Sequence, residues 1–177
     1  MISKYSFIVL ITLSNLYGQR EINIKSLVNI DKTYRIKGQQ KPADGIVFDF
    51  KKEKKVKIGR LKNGKKVGVW IEWHPNERRL QETYKNGLLD GHVSLFYKNG
   101  QKEWRHTYNN GILEGNYTRW HQNGQRTTDG FFENGVPVGI WTWRDKEGNI
   151  IKKETFKKRA KGFLSGFTEY IDVEIVH

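Results

Sequence analysis

Aromatic and apolar residues recur along the chain in short alternating runs that are separated by glycine-containing turns. Between residues 60 and 140, four Asn-Gly pairs are spaced 23 or 24 residues apart, and another glycine follows each of these four pairs four residues later. The pairs are Asn63-Gly64, Asn86-Gly87, Asn110-Gly111 and Asn134-Gly135, and the following glycines are Gly68, Gly91, Gly115 and Gly139. Further turn signals lie between them, at Pro75-Asn76-Glu77, Asn99-Gly100, Asn123-Gly124 and Gly148-Asn149. Two turns and two strands of about seven or eight residues fill each period, which predicts one β-hairpin per repeat.

A hairpin of this size cannot bury a core by itself, so consecutive copies are expected to pack side by side. The sequence therefore predicts an all-β protein, an elongated single antiparallel sheet of consecutive stacked hairpins over residues 41–158. Gly45 lies 23 residues before Gly68, so a degenerate first repeat begins near Pro42. Turns that require a positive φ account for the repeated glycines. These predicted structural turn glycines are Gly45, Gly64, Gly68, Gly87, Gly91, Gly111, Gly115, Gly135 and Gly139.

Alignment of the repeats on the glycine that follows each turn reveals three apolar columns. Two residues after the glycine stand Val47, Trp70, Val93, Tyr117 and Trp141. Five residues after it stand Phe50, Trp73, Phe96 and Trp120, with Arg144 interrupting the column. Seven residues before it stand Leu61, Tyr84, Tyr108 and Phe132, and Phe156 continues this series.

The first two columns differ by three residues, so they point to opposite faces of a regular strand. Either both faces of the sheet carry aromatic residues, or a bulge near the glycine brings the two columns together. We assign Trp70, Tyr117 and Trp141 to the packed column. Trp73, Phe96 and Trp120 are then the candidate partner-binding residues, and the reversed assignment stays open.

The regions outside the repeats have different compositions. Residues 1–19 contain Lys4, a seven-residue apolar run and a polar end with Gly18, which is typical of a secretory signal peptide. The run is far shorter than the roughly 20 residues of a membrane-spanning helix, so we expect an exported protein without a transmembrane segment after signal removal. It would be periplasmic, outer-surface or secreted. We expect irregular structure or one covering strand over residues 20–40, and a capping strand within residues 159–177.

The composition limits the chemistry that the chain can perform. A net charge of +13 favours anionic partners, such as an anionic glycan or lipid, while export argues against nucleic acid. The lysine clusters near the ends of the array also suit a solvated face and edge strands that resist aggregation. The chain has no cysteine, which excludes disulfides, thiolate metal sites and cysteine nucleophiles.

No residue pattern indicates catalysis or metal binding. His74 and His121 occupy equivalent positions two repeats apart, a separation of about 19 Å, which is too large for a shared zinc ion. Four recurring carboxylates lie beside turns near lysine or arginine, and we expect them to form cross-strand ion pairs. They are Glu82, Asp90, Glu103 and Glu114. The sequence shows no phosphate-binding loop, dinucleotide fingerprint or nucleophile elbow, so we predict a protein that is not an enzyme, with no catalytic, cofactor or metal residues.

The repeat can be written Y-x-N-G-x-x-x-G-x-(W/Y)-x-x-W-x-x-N-G, and Tyr84 to Gly91 and Tyr108 to Gly115 follow it closely. In this pattern the chain resembles the bacterial variant of the MORN repeat, found in antitoxin components of the YwqK family. The resemblance covers about residues 41–158. It implies an antiparallel sheet of hairpins that binds or scaffolds proteins or membrane lipids.

These observations predict an exported, non-enzymatic scaffold that presents aromatic and basic side chains to a protein partner or a cell-envelope component. The resemblance implies an alternative, an antitoxin that neutralises a cognate toxin, although a signal peptide is unlike a cytoplasmic antitoxin. A glycan-binding module and an enzyme are the remaining alternatives.

Overall fold

The computed structural model describes residues 20–157 and 173–176, which form almost entirely β-strands. The strands are β1 (Glu21–Asn23), β2 (Leu27–Ile30), β3 (Thr33–Ile36), β4 (Gly45–Lys51), β5 (Lys54–Lys62), β6 (Lys65–Trp73), β7 (Arg79–Lys85), β8 (Leu88–Leu89), β9 (Gly91–Phe96), β10 (Lys102–Asn109), β11 (Ile112–Leu113), β12 (Gly115–Trp120), β13 (Arg126–Glu133), β14 (Val136–Arg144), β15 (Ile150–Phe156) and β16 (Val173–Val176). A short 3₁₀ turn, Ile24–Ser26, separates β1 from β2.

The main sheet is a series of hairpins laid side by side. Its order is β1-β4-β5-β6-β7-β9-β10-β12-β13-β14-β15-β16, while β8 pairs with β7 and β11 pairs with β10. Every pairing is antiparallel except that of β1 with β4. The predicted fold class, an all-β sheet of consecutive hairpins, is confirmed.

The segment that precedes the repeats is more regular than the sequence indicated. Instead of irregular structure or one strand, it contains β1, which lies parallel to β4, and a separate hairpin of β2 and β3. The turn of this hairpin, Asp31-Lys32, has φ values of 50° and 59°. It adopts the left-handed conformation without an Asn-Gly signal, so the pattern that identified the other turns could not find it.

The Asn-Gly turns have the predicted conformation and also connect one hairpin to the next. Asn86 and Gly87 have φ values of 51° and 85°, as a type I′ turn requires, and the other three pairs are also positive. The Gly87 N–H donates to the carbonyl of Lys66 at 2.9 Å, in the preceding hairpin. Equivalent bonds run from Gly64 to Ala43, from Gly111 to Leu89 and from Gly135 to Leu113. Successive turns are therefore bonded to each other along one end of the sheet.

The second glycine of each repeat lies in a strand and not in a turn. Beside Gly91 the ladder is irregular, because Tyr84 pairs with Leu89 whereas Gln81 pairs with Ser94, which leaves extra residues in the second strand. The positions that we predicted as turns and that instead begin or interrupt a strand are Gly45, Gly68, Gly91, Gly115 and Gly139. All nine predicted glycines have a positive φ. The bulge that the sequence analysis left as an alternative is thus present. It lies before both aromatic columns along the strand, so it does not bring them onto one face.

Strand register decides which residues share a face. From Gly68 to Trp73, strand β6 pairs with β7 without a break, so Trp70 and Trp73 point to opposite faces. We call the face of Trp70 the back face and the face of Trp73 the front face. Residues directly opposite each other on neighbouring strands lie on the same face, which extends this assignment across the sheet.

The largest core lies on the back face, at the amino-terminal end of the sheet. Val47 and Leu61 are fully buried there, and Trp70 is 5% exposed. Leu27, Tyr34 and Ile36 of the β2–β3 hairpin, among others, pack against this cluster. The hairpin is therefore a second layer over the first strands of the repeat array.

Two of the expected segments are partly or wholly outside the described residues. The predicted signal peptide, residues 1–19, lies outside them. Of the predicted capping segment 159–177, only β16 is described, and it pairs antiparallel with β15 at the far edge of the sheet. Within the described ranges, no helix has the length and apolar character needed to cross a membrane.

Replacement of Gly91 by valine tests the bulge geometry. Gly91 has a φ of 110°, and a Cβ added there would lie 3.3 Å from Thr83. A β-branched residue is strained in this conformation, so Gly91→Val is expected to lower the free energy of unfolding by more than about 1 kcal/mol. Thermal or urea unfolding measures the change. Asn86→Gly is the control and is expected to be nearly neutral, and an unchanged melting temperature for Gly91→Val would contradict the assigned register.

Candidate binding surface

One continuous row of side chains crosses the back face perpendicular to the strands. Along this row, apolar side chains alternate with small or polar ones. The register pairs are Val47 with Gly59, Trp70 with Glu82, Val93 with His106, Tyr117 with Gly130, and Trp141 with Glu154. Each wide side chain therefore has a smaller or polar neighbour on the next strand.

Two glycines in this row make space for tryptophan rings. A Cβ at Gly59 would overlap the Trp70 ring, and a Cβ at Gly130 would overlap the Trp141 ring. The other two repeats have Glu82 and His106 at the same position, nine residues before the bulge glycine. Sequence reasoning missed this relationship. The sequence does contain a signal for it. Of these four repeats, only the two with tryptophan two residues after the bulge glycine have a glycine nine residues before it.

Aromatic contacts continue the back-face row toward the carboxyl-terminal strands. The rings of Tyr117 and Trp141 are stacked with centroids 5.3 Å apart, and Phe132 meets Trp141 edge-on at 5.0 Å. His106 lies 4.8 Å from Tyr117. Burial raises the pKa of Tyr117 and lowers the pKa of His106. The residues that we assigned to the packed column are accordingly buried or half-buried, with Trp141 only 7% exposed.

The three candidate partner-binding residues, Trp73, Phe96 and Trp120, lie on the front face. Trp73 is 40% exposed, while Phe96 and Trp120 are half-buried. Among the described residues, several other exposed apolar side chains share this face. They are Phe50, Val69, Phe131 and Ile140. The structure thus places both aromatic columns on strands of the same sheet but on opposite faces of it.

Cations alternate with aromatic rings along the front face. Trp73 is opposite Arg79, Arg79 is opposite Phe96, and Phe96 is opposite Lys102. In the following hairpin, Trp120 is opposite Arg126. We call this series the ring–cation row, and it comprises Trp73, Arg79, Phe96, Lys102, Trp120 and Arg126.

The Arg79 guanidinium lies between two rings of this row. Its Cζ is 4.1 Å from the centroid of Phe96 and 6.0 Å from that of Trp73. On the other side of Trp73, the Lys51 Nζ lies 3.1 Å from the ring centroid. These distances are in the range of cation–π contacts, which hold a cation in a defined position.

Carboxylates near the row already have cationic partners. Asp129 pairs with Arg144 at 3.0 Å and with Arg126 at 3.5 Å. Glu77, at the turn that precedes β7, pairs with Lys98 and Lys52, which together lower the pKa of Glu77. Several cations of the front face have no ion pair within the described part of the chain, among them Arg79, Lys102 and Arg105.

His92 reports the positive potential of this region. It lies on the front face, where its Nδ1 is 3.3 Å from the Thr107 hydroxyl oxygen. Burial lowers the pKa of His92, and Arg105 and Lys102 lower it further. The front face therefore combines exposed rings with cations whose charge is not balanced locally.

The recurring carboxylates divide into two structural classes, only one of which matches the expectation of ion pairing. Glu82 lies 3.9 Å from Lys66, and Glu103 pairs with Arg78 and Arg119. The others accept hydrogen bonds from turn backbone in the next hairpin: Asp90 from the Asn110 N–H at 3.2 Å and Glu114 from the Asn134 N–H at 2.7 Å. The expectation of ion pairs is wrong for Asp90 and Glu114, because an unpaired turn N–H is closer than any cation.

His74 and His121 begin equivalent turns, and their backbone N–H groups donate to Arg78 and Gln125. Their strands, β6 and β12, are four strand spacings apart, about 19 Å. In residues 20–157 and 173–176 there is no group of three or more side chains suited to holding a metal ion. The structure does not bring these two histidines together.

Comparison with known proteins gives no match to any protein-family model and no significant match to a curated protein. The likeness to MORN repeats therefore remains a resemblance in the motif.

A double-mutant cycle tests the pairing of glycine with tryptophan on the back face. Gly130→Ala is expected to cost about 1–3 kcal/mol in unfolding free energy, because its methyl group overlaps the Trp141 ring. In the Trp141→Val background the same substitution is expected to cost at least about 0.5 kcal/mol less. Urea unfolding of the four proteins measures the coupling. Additive effects would mean that the ring does not occupy the space above Gly130.

The pKa shift of His106 predicts a pH dependence of stability. Because burial lowers its pKa in the folded state, the unfolded chain takes up the proton first as the pH falls. The stabilisation is full above the ordinary pKa of about 6.5 and is lost as the pH falls from there toward the folded-state pKa. His106→Phe should therefore show a smaller loss of stability between about pH 7.5 and pH 5 than the parent chain. Identical losses would contradict the assignment, and His92 contributes a remaining slope of the same sign.

Proposed function

We propose that this protein is an exported, non-enzymatic binding scaffold whose front face recognises a protein partner or a component of the cell envelope. The observation that carries the proposal is the ring–cation row, in which Trp73, Arg79, Phe96 and Lys102 are consecutive register partners. Aromatic residues and arginine are the residue types that contribute most to binding at protein interfaces.

The difference between the two faces supports the choice of the front face. Four apolar side chains of the back face in the repeats are buried, namely Trp70, Val93, Leu95 and Trp141. On the front face, Phe50 is 53% exposed and Ile140 is 64% exposed. Exposed apolar groups of this kind, when rimmed by polar residues, are typical of interaction sites.

A binding role also fits the way in which the titratable groups are used. Glu103 is held by two arginines, and Asp90 and Glu114 accept hydrogen bonds from turn backbone. A catalytic pair of carboxylates needs two groups in contrasting environments that face a common substrate position. The contacts of these carboxylates instead stabilise the hairpin array.

The export that we propose rests on the residue pattern of positions 1–19, which is typical of a signal peptide.

A pull-down from envelope extract tests the proposal. The purified full chain is immobilised, and the retained material is compared with that of Trp73→Ala and Trp120→Ala. Both variants are expected to lose most of the retained partner, because an aromatic anchor at an interface contributes about 2 kcal/mol or more. The melting temperatures of both variants should stay close to that of the parent chain, since Trp73 is 40% exposed and Trp120 is half-buried.

Trp143→Ala is the matched control, because Trp143 lies on the back face, opposite Lys152 of the next strand. It is expected to retain the partner. Equal loss in all three variants would indicate that binding needs only the intact fold, and full retention by Trp73→Ala and Trp120→Ala would exclude the front face.

A further inference from the structure

We infer that the ring–cation row binds an extended acidic polysaccharide across the strands, with Arg79, Lys102 and Arg105 contacting its carboxylates. This inference rests on the proposed function of the front face and adds the chemical class of the ligand. Its three supports are the unpaired cations, the position of Arg79 between two rings and the spacing of charges along the row.

The first support is that the available charge on this face is positive. Asp129 is neutralised by Arg126 and Arg144. Within the described residues, Arg79, Lys102 and Arg105 have no carboxylate partner. A ligand that supplies carboxylates would satisfy these donors, whereas a neutral glycan would leave the charges unpaired.

The second support is the position of Arg79 between two aromatic rings. Contact with Phe96 at 4.1 Å and with Trp73 at 6.0 Å restricts the guanidinium plane. A planar guanidinium binds a carboxylate through two parallel hydrogen bonds, and a side chain that is ordered beforehand loses less entropy on binding. The rings thus position the arginine, and Trp73, which is 40% exposed, remains available to contact the ligand.

The third support is the spacing along the row. Arg79 on β7 and Lys102 on β10 are separated by one intervening strand, which corresponds to about 9.6 Å between these two unpaired cations. An extended acidic peptide presents same-face side chains about every 6.8 Å, and successive phosphates of one DNA strand are about 3.4 Å apart along the axis. A polysaccharide of alternating acidic and neutral sugars carries a carboxylate on every second ring, and this alternation matches that of cations and aromatic rings in the row.

Calorimetric titration of the full chain with defined polymers tests the inference. The probe is hyaluronan, which alternates an acidic and a neutral sugar, and carboxyl-reduced hyaluronan is its uncharged counterpart. Poly-L-glutamate and phosphatidylglycerol vesicles represent an acidic peptide and an anionic membrane. We expect hyaluronan to bind with an affinity that falls steeply with salt, and at least about tenfold tighter than the carboxyl-reduced form.

Two substitutions at the row and one control locate the site. Arg79→Gln is expected to weaken hyaluronan binding about tenfold or more, and Lys102→Gln, at an exposed position, is expected to weaken it without loss of the fold. Arg79→Lys keeps the charge but not the planar fork, so it should not restore full affinity. Lys85→Gln is the control, because Lys85 lies on the same strand and face as Arg79 but six residues away, and it should bind within about twofold of the parent chain.

Several outcomes would overturn the inference. These are equal binding of the carboxyl-reduced polymer, equal losses in Lys85→Gln and Arg79→Gln, and tighter Arg79-dependent binding to poly-L-glutamate or to the vesicles than to hyaluronan. Absence of hyaluronan binding together with Trp73-dependent retention of an envelope partner would reject the polysaccharide and leave the proposed function standing. Absence of both would reject the proposed function as well.

Discussion

Lateral packing between side chains on neighbouring strands is the interaction on which this sheet depends. Only the first strands have a second layer among the described residues, where the β2–β3 hairpin covers Val47, Leu61 and Trp70. Farther along, each ring is buried by the residues beside it, as Trp141 is by Tyr117 and Phe132. Burial of this kind requires complementary sizes across the strands, which explains why a glycine lies opposite a tryptophan in two hairpins.

This packing is effective only if every hairpin keeps the same register. A slip of one residue would move the whole apolar column to the other face. The turn-to-turn hydrogen bonds and the carboxylates that accept from Asn110 and Asn134 fix the offset between successive hairpins. The left-handed glycines add a bulge at the same place in each repeat. Equivalent residues therefore align in straight rows on both faces.

The surface on which we base the proposed function is a consequence of that alignment. The apolar column on the back face supplies the packing. The aromatic residues three positions later in each repeat do not share this role, and on the front face they form the rings of the ring–cation row. Positive charge remains available on the row at Arg79 and Lys102, because the nearby carboxylates of Glu77, Glu103 and Asp129 each already have two cationic partners.

The sequence alone determined the hairpin repeat, its period, the type I′ turns and the two aromatic columns, because turn chemistry and side-chain alternation are local properties. It did not reveal the β2–β3 hairpin, whose turn has no glycine, or the roles of Asp90 and Glu114, which depend on the turn of the next hairpin. The alternation of Arg79 with Trp73 and Phe96 was equally hidden, since these residues are adjacent only across strands. Cross-strand register is set by the packing of the whole sheet, and only the tertiary structure could decide which face is packed and which is open.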